Sequence, residues 1–218
     1  MNASRIALLV FGIAFSTASL ADDNLWLGVK AGTLGLGLEG TWRPIPWFDL
    51  RGGFNSFEYD HDGTEAGIGY DATLDLQSWY GTANFRMPLS PFRVTAGVFN
   101  NGNELRLVSR ETGPIDVGGT TFTSAEVGTI RGLTTFEDVA PYAGIGFDFG
   151  LFGKVGLNLD LGVMYQGDPD VALTSDGILA NDPVFQDALE NERVQLEDEV
   201  DRYKLYPVAS LTFNVQFL

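Results

Sequence analysis

The last sixteen residues, 203–218 (YKLYPVASLTFNVQFL), alternate with a period of two. Leu205, Ala209, Leu211, Phe213, Val215 and Phe217 take one face; Lys204, Tyr206, Ser210, Thr212, Asn214 and Gln216 take the other. Successive side chains leave a pleated strand on opposite sides, so the spacing predicts a strand with one uncharged apolar face and one polar face. The pattern recurs. Val155, Leu157, Leu159, Leu161, Val163 and Tyr165 oppose Gly156, Asn158, Asp160, Gly162, Met164 and Gln166. Val139, Ala143, Ile145, Phe147 and Phe149 oppose Tyr142, Gly144, Gly146 and Asp148. Repeated behind a secretory leader, this pattern fits a barrel whose outside meets lipid and whose inside is polar.

That leader is read at residues 1–21. Arg5 precedes an apolar run at 6–15 (IALLVFGIAF), and small residues follow, with Ser19 and Ala21 at the minus three and minus one positions of a cleavage site. The run is too short to span a bilayer, so it reads as a signal peptide, cleaved near Ala21. The barrel domain is then 22–218. Leader removal takes away one Arg and no acid, which leaves it more acidic than the −16 of the whole chain. No later stretch approaches the roughly 20 apolar residues of a membrane helix.

With no Cys and one His, disulfide and thiol chemistry are excluded and a histidine metal site has little to build on. No cofactor is expected. So acidic a chain repels phosphates, which argues against a nucleic-acid partner.

Earlier strands are read at 92–99, 70–77 and 47–59. Within 70–77, Ala72, Leu74 and Leu76 are apolar against Asp71, Thr73, Asp75 and Gln77, but from Trp79 the odd positions become apolar. One extra residue flips every later side chain, so a β-bulge is expected at residues 78–79. Phe57 and Tyr59 reverse the phase set by Phe48, Leu50 and Phe54 in the same way. Connections alternate between short (43–46, 86–91, 151–154) and long (59–69, 100–136, 167–202), the asymmetry of periplasmic turns and extracellular loops. Six strands follow residue 47. Membrane barrels of this kind have an even number, so 24–43 is expected to turn at 32–35 and form two short strands, for a total of eight; the alternative is one bulged strand. In the third long loop, Asp182 suits an N-cap and Pro183 the first helical position. The helix predicted there carries a stripe of Phe185, Leu189, Leu196, Val200 and Tyr203, expected to face the barrel mouth. Gly118 and Gly119 are expected to turn a small hairpin.

The segment 140–147 (APYAGIGF), residues 35–57 (GLGLEGTWRPIPWFDLRGGFNSF) and the closing strand resemble small Gram-negative outer-membrane barrels of the OmpA transmembrane-domain and OmpW-like group. The resemblance implies an eight-stranded barrel in an outer membrane, with no fixed activity, since such barrels serve as anchors, adhesins, narrow channels and enzymes. One departure is that Phe217 is followed by Leu218, so the terminal aromatic comes one place early.

Inward strand positions carry Lys30, Glu39, Asp49, Arg51, Asp71, Asp75, Arg93, Asp148, Asp160 and Lys204. Eight strands leave an interior that side chains just fill. These charges are therefore expected to pair into a plug; a polar path through them, six acids to four bases, would favour cations. Trp26, Trp42, Trp47, Tyr59, Tyr70, Phe92, Phe149, Phe152 and Tyr203 fall near strand ends and suit interfacial girdles, with a carbohydrate-stacking platform as the alternative. Asp60, Asp62 and Glu65 offer carboxylates to a divalent cation at a bend, or simply a solvated loop. His61 with Ser56 or Ser78 is the one lipid-hydrolase possibility, and no nucleophile motif surrounds either serine. The expected function is non-enzymatic: a monomeric membrane scaffold and surface interaction protein in contact with lipid and lipopolysaccharide. The alternative is a narrow channel or uptake path for small or amphipathic solutes.

Overall fold

A computed structural model describes residues 24–65, 68–110 and 113–217. The leader read at 1–21 and Leu218 lie outside them. In chain order the strands are β1 (Leu25–Gly32), β2 (Gly35–Ile45), β3 (Phe48–Glu65), β4 (Ile68–Arg86), β5 (Phe92–Asn101), β6 (Glu104–Ser109), β7 (Pro114–Val117), β8 (Thr120–Thr123), β9 (Ile130–Thr135), β10 (Val139–Phe152), β11 (Val155–Tyr165), β12 (Asp170–Ser175) and β13 (Leu205–Gln216). Two α-helices, α1 (Ser124–Val127) and α2 (Pro183–Val200), and a short 3-10 helix (Asp201–Lys204) complete the described fold.

Eight strands close into an antiparallel ring in the order β1, β2, β3, β4, β5, β10, β11, β13, with β13 pairing back onto β1. The segment 24–43 is two strands, as barrel parity requires: β1 and β2 pair from Leu25↔Trp42 to Gly32↔Gly35. Gly35 makes the tight turn possible, since its φ of +93° is open to glycine and strained for other residues.

Burial runs opposite to that of a soluble protein. Asp49 and Arg93 are 0% exposed, while Leu36 is 68% and Leu38 is 64% exposed. Leu27, Val29, Val94, Val98, Leu161, Leu211, Phe213 and Val215 are likewise exposed, and Thr41, Asn84, Thr95, Ser210, Thr212 and Asn214 are buried. Water on the outside would make so continuous an apolar belt prohibitive; hydrocarbon makes it favourable.

The segments read as long loops are folded. β3 and β4 continue as a hairpin through most of 59–69. β6 prolongs β5 along β4, β9 leads into β10, and β12 follows β11, so the sheet β3–β4–β6–β9–β12 rises beyond the ring on one side. On the other side β13, β1 and β2 stop short. The wall is therefore tall over half its circumference and low over the rest. Its tall part carries a small dome with its own core of Ile115, Val117, Val127, Phe185, Ala188 and Leu189.

No bulge occurs at residues 78–79. The β3–β4 register runs unbroken from Phe48↔Phe85 to Glu65↔Ile68. The surroundings change instead. Inside the ring the inner face meets other buried side chains of the lumen and the outer face meets lipid; above the ring the outer face meets water. Leu76 thus shares a face with Tyr80, and Phe57 and Tyr59 share one with Arg51, without any slip of the pleat.

The dome follows local rules read in the sequence. Asp182 accepts hydrogen bonds from the backbone N–H of Val184 (2.9 Å) and Phe185 (3.2 Å), with Pro183 in the first turn. Gly118 and Gly119, at φ +56° and +81°, turn the β7–β8 hairpin as a two-residue loop with both φ positive does. The expected stripe is only partly used. Phe185 and Leu189 are buried and the helix packs on β12 and β7, but it ends at Val200, and Tyr203 beyond it is 55% exposed. The helix is part of the dome wall and does not lie stripe-inward along its whole length.

Asp176 clasps the start of β9 to the end of β12: it accepts from the Thr129 N–H (2.7 Å) and from Arg131 Nη1 (2.8 Å). The Thr129 hydrogen bond, aided by Arg131, holds its carboxyl below the usual carboxylate range. Its stabilisation is complete above the unfolded pKa of about 4 and is lost as pH falls through the lower folded value. Amide exchange at residues 129–131 should accelerate below that pH, after correction for intrinsic rates, and Asp176→Asn should flatten the pH dependence. In the hydrocarbon belt, Leu159 pairs with Leu211 and Phe147. Leu159→Lys should cost about 2–4 kcal/mol in denaturant unfolding from lipid vesicles.

Candidate functional site

The lumen is filled in three layers. At the short-turn end lies a cavity of ≈ 140 Å³ lined by Trp26, Thr41, Arg43, Arg86, Asn158 and Asn214, among others. Above it sits a buried ion-pair network. Arg51 reaches Asp49 (3.1 Å), Glu39 (3.3 Å) and Asp148 (3.3 Å). Arg86 bridges Asp148 (2.5 Å) and Asp49 (3.3 Å). Arg93 pairs with Asp148 (3.1 Å) and Asp160, and donates to Asn84 Oδ1 (2.9 Å) and Thr95 Oγ1 (2.6 Å). Lys30 binds Glu39 (2.8 Å) and donates to the Tyr80 hydroxyl (2.8 Å), which itself donates to Glu39 (2.8 Å).

Period two builds this network. Glu39, Thr41 and Arg43 are successive inward positions of β2, and Asp49 and Arg51 of β3. Glycine makes the room: a Cβ at Gly146 would stand 2.4 Å from Arg93 Cζ. The guanidinium fits only because β10 carries no side chain there.

Seven of the ten inward charges read from the sequence meet in this cluster: Lys30, Glu39, Asp49, Arg51, Arg93, Asp148 and Asp160. The other three do not. Asp71 lies on the outer face of the tall hairpin, paired with Arg110. Asp75 is on that same face, two pleat repeats lower, with Thr73 between them. Lys204 sits beyond the ring beside Asp168 (2.7 Å) and Asp201 (2.5 Å), whose hydrogen bonds raise its pKa above the usual Lys value. Arg43 and Arg86 were missed because they border the short turns, yet each lies two residues from an inward neighbour, Thr41 and Asn84. Counting them, the cluster holds five bases (Lys30, Arg43, Arg51, Arg86, Arg93) against four acids (Glu39, Asp49, Asp148, Asp160). The cation preference drawn from six acids against four bases is corrected accordingly.

The third layer is apolar, which the expectation of a wholly polar plug left out. Leu34, Tyr80, Phe99, Ala140, Tyr142, Met164 and Val208 form a buried cluster above the ion pairs. Tyr80 stacks on Phe99 (4.9 Å between centroids), and Phe99 meets Tyr142 edge-on (5.3 Å). The signal was available: each of these side chains falls on an inward position of its strand or at the β1–β2 turn.

The remaining candidates lie on the tall hairpin. Asp60 accepts from Thr73 Oγ1 (2.8 Å), and Asp62 pairs with Arg110 (2.7 Å). Both stand on a straight strand rather than at a bend, and the side chain of Glu65 lies outside the described residues. Among the described residues no three His, Cys, Asp or Glu side chains are grouped to hold a metal ion. His61 stacks on Tyr59 (6.1 Å). Ser56 points to the opposite face, and Ser78 is buried in the ring, accepting from Asn55 Nδ2 (3.2 Å). Since Asn55 pairs with Ser78 and His61 with Ala72, His61 is six residues farther along the strand, about 20 Å away. Tyr59 and Tyr70 also leave the expected girdle and rise with the hairpin, whereas Trp42, Trp47, Phe149 and Phe152 ring the short-turn end, exposed.

Removing Arg93 would leave Asp160 only its longer contact with Arg51 (3.9 Å) and weaken the hold on Asp148. Arg93→Ala should destabilise the barrel by about 3–5 kcal/mol, read as a lowered denaturant midpoint at unchanged slope.

No family model matches the chain, and no curated protein matches it. Solved structures share its fold, two of them from Acinetobacter baumannii. Acinetobacter baumannii CarO2 superposes with a TM-score of 0.62 at 23% identity, covering 89% of this chain and 98% of that one. Acinetobacter baumannii CarO does so with a TM-score of 0.60 at 24% identity, over the same shares. At this identity the likeness is one of architecture: the chain is an eight-stranded antiparallel up-and-down β-barrel.

Proposed function

We propose that the protein is an integral outer-membrane anchor that does not conduct, and that it works by presenting its dome and tall hairpin outside the cell. The signal peptide is removed near Ala21, the short turns face the periplasm, and the exposed apolar belt sits in the bilayer as a monomer. Lipopolysaccharide surrounds the outer half. The role is non-enzymatic; the separation of His61 from Ser78 supports that reading.

The observation that carries the proposal is the double closure of the lumen. Opening it requires breaking a network in which each buried charge depends on its partners and also moving the Tyr80–Phe99–Tyr142 cluster. A second reading, a narrow path for small solutes as in OmpW-like barrels, draws support from the cavity at the short-turn end. It needs the aromatic layer to move aside.

Planar-bilayer recording separates the two. The purified protein should show no conductance above background, and Tyr80→Ala/Phe99→Ala should stay silent as well, because the ion-pair layer below still closes the lumen. Steady conductance in the unaltered protein would favour the path.

A further inference from the structure

The tall wall has two edges, and only one is covered. At β12, α2 packs over the sheet. At β3 the neighbour β2 stops pairing at Leu36↔Ser56, and β3 runs on to Glu65. Among the described residues no other segment bonds to the backbone of 57–62. Every side chain from Ser56 to Asp62 is exposed, on both faces of the strand. A row of unpaired N–H and C=O groups is a template for another strand, and proteins usually blunt it with charged side chains, Lys above all, with Pro or with a bulge. Residues 57–65 (FEYDHDGTE) contain neither Lys nor Pro, their register with β4 is unbroken, and their acids turn away an acidic strand but not a basic one.

The two faces of this edge differ. One carries Phe57, Tyr59 and His61, with Phe57 parallel to Tyr59 (6° between ring planes) and Tyr59 nearly so to His61 (15°). The other carries Glu58, Asp60 and Asp62. Glu58 lies directly opposite Asp75, and Asp75 opposite Glu104, a row of three acids across adjacent strands. Arg106 pairs with Glu104 and Arg110 with Asp62, but Glu58 and Asp75 have no ion pair among the described residues. Like charges facing each other across a sheet are destabilising. A positively charged neighbour would relieve that repulsion.

We propose that the bare edge of β3 is a docking site for an extended basic segment of another protein, which adds to the sheet as one more strand. Main-chain hydrogen bonds supply the affinity. Alternate Lys or Arg side chains meet Glu58, Asp60 and Asp62, and the intervening apolar side chains lie against Phe57 and Tyr59. A second copy of this chain fits poorly, because any register that keeps the aromatic faces together sets these three acids against each other. The inference rests on the surface-anchor reading and names the partner's chemistry.

The test uses the full mature chain in lipid nanodiscs and a fluorescent nine-residue peptide of alternating lysine and valine, titrated by anisotropy. Saturable binding is expected. It should weaken at least tenfold when every second peptide nitrogen is methylated, which keeps the charge and removes the edge hydrogen bonds. Glu58→Lys/Asp60→Lys should weaken it at least tenfold as well, and Glu190→Lys, on α2, should leave it unchanged. Equal binding of the methylated peptide overturns the proposal and needs no variant to fold. So does indifference to the Glu58/Asp60 charge reversal, or sedimentation showing a dimer joined through this edge. Bilayer recording on the same protein keeps the two readings apart: peptide binding by a conducting protein sustains the edge and removes the closed anchor, and a silent protein that ignores the peptide removes the edge alone.

Discussion

Hydrocarbon offers no hydrogen-bond partner, so a sheet can cross it only if each strand is paired on both sides. The ring β1–β2–β3–β4–β5–β10–β11–β13 meets that requirement, with the last strand bonded to the first. Closure sets the rest. It turns one face of every strand outward to lipid and sends the other into a space too narrow for bulk water. Charged residues on that inner face have only each other and a few polar neighbours, so Arg51, Arg93, Asp148 and Asp160 form one network. Where the strands leave the bilayer the requirement lapses, and there the wall stops being symmetric.

The two closures of the lumen differ in their chemistry. The ion-pair layer is held by interactions that lose heavily if one member is removed, because its partner is left charged in a dry interior. The aromatic layer above it is held by contact between Tyr80, Phe99 and Tyr142 and leaves few polar groups for a passing solute. Together they fill the ring from wall to wall, and the asymmetry is confined to the tall side: the dome core around Phe185 and the uncovered run of β3.

Much of this was legible in the chain. The closing strand, the hairpin in 24–43, the Asp182 cap and the Gly118–Gly119 turn each follow from local geometry or from strand parity, and the structure has all four. The misreadings share one cause. Apolar alternation reads as a lipid-facing side throughout, so the swap of polarity between Leu76 and Trp79 suggests a bulge. The pleat is continuous, and what changes is the medium around it. Asp71 and Asp75 were assigned to the lumen by the same reasoning. Arg43 and Arg86 were passed over because proline-rich turns beside them looked like the end of the pattern, although both extend the inward series by one step.

The sequence by itself determined that the strands would be amphipathic with period two and joined alternately by short and long segments, because these properties belong to local backbone geometry and to composition. Only the tertiary structure decided which inward charges meet, that the layer above them is aromatic, and that the wall rises on one side to leave β3 without a neighbour. Those outcomes depend on contacts between residues far apart in the chain, and on how far each strand outlasts the one beside it, which no single stretch of residues encodes.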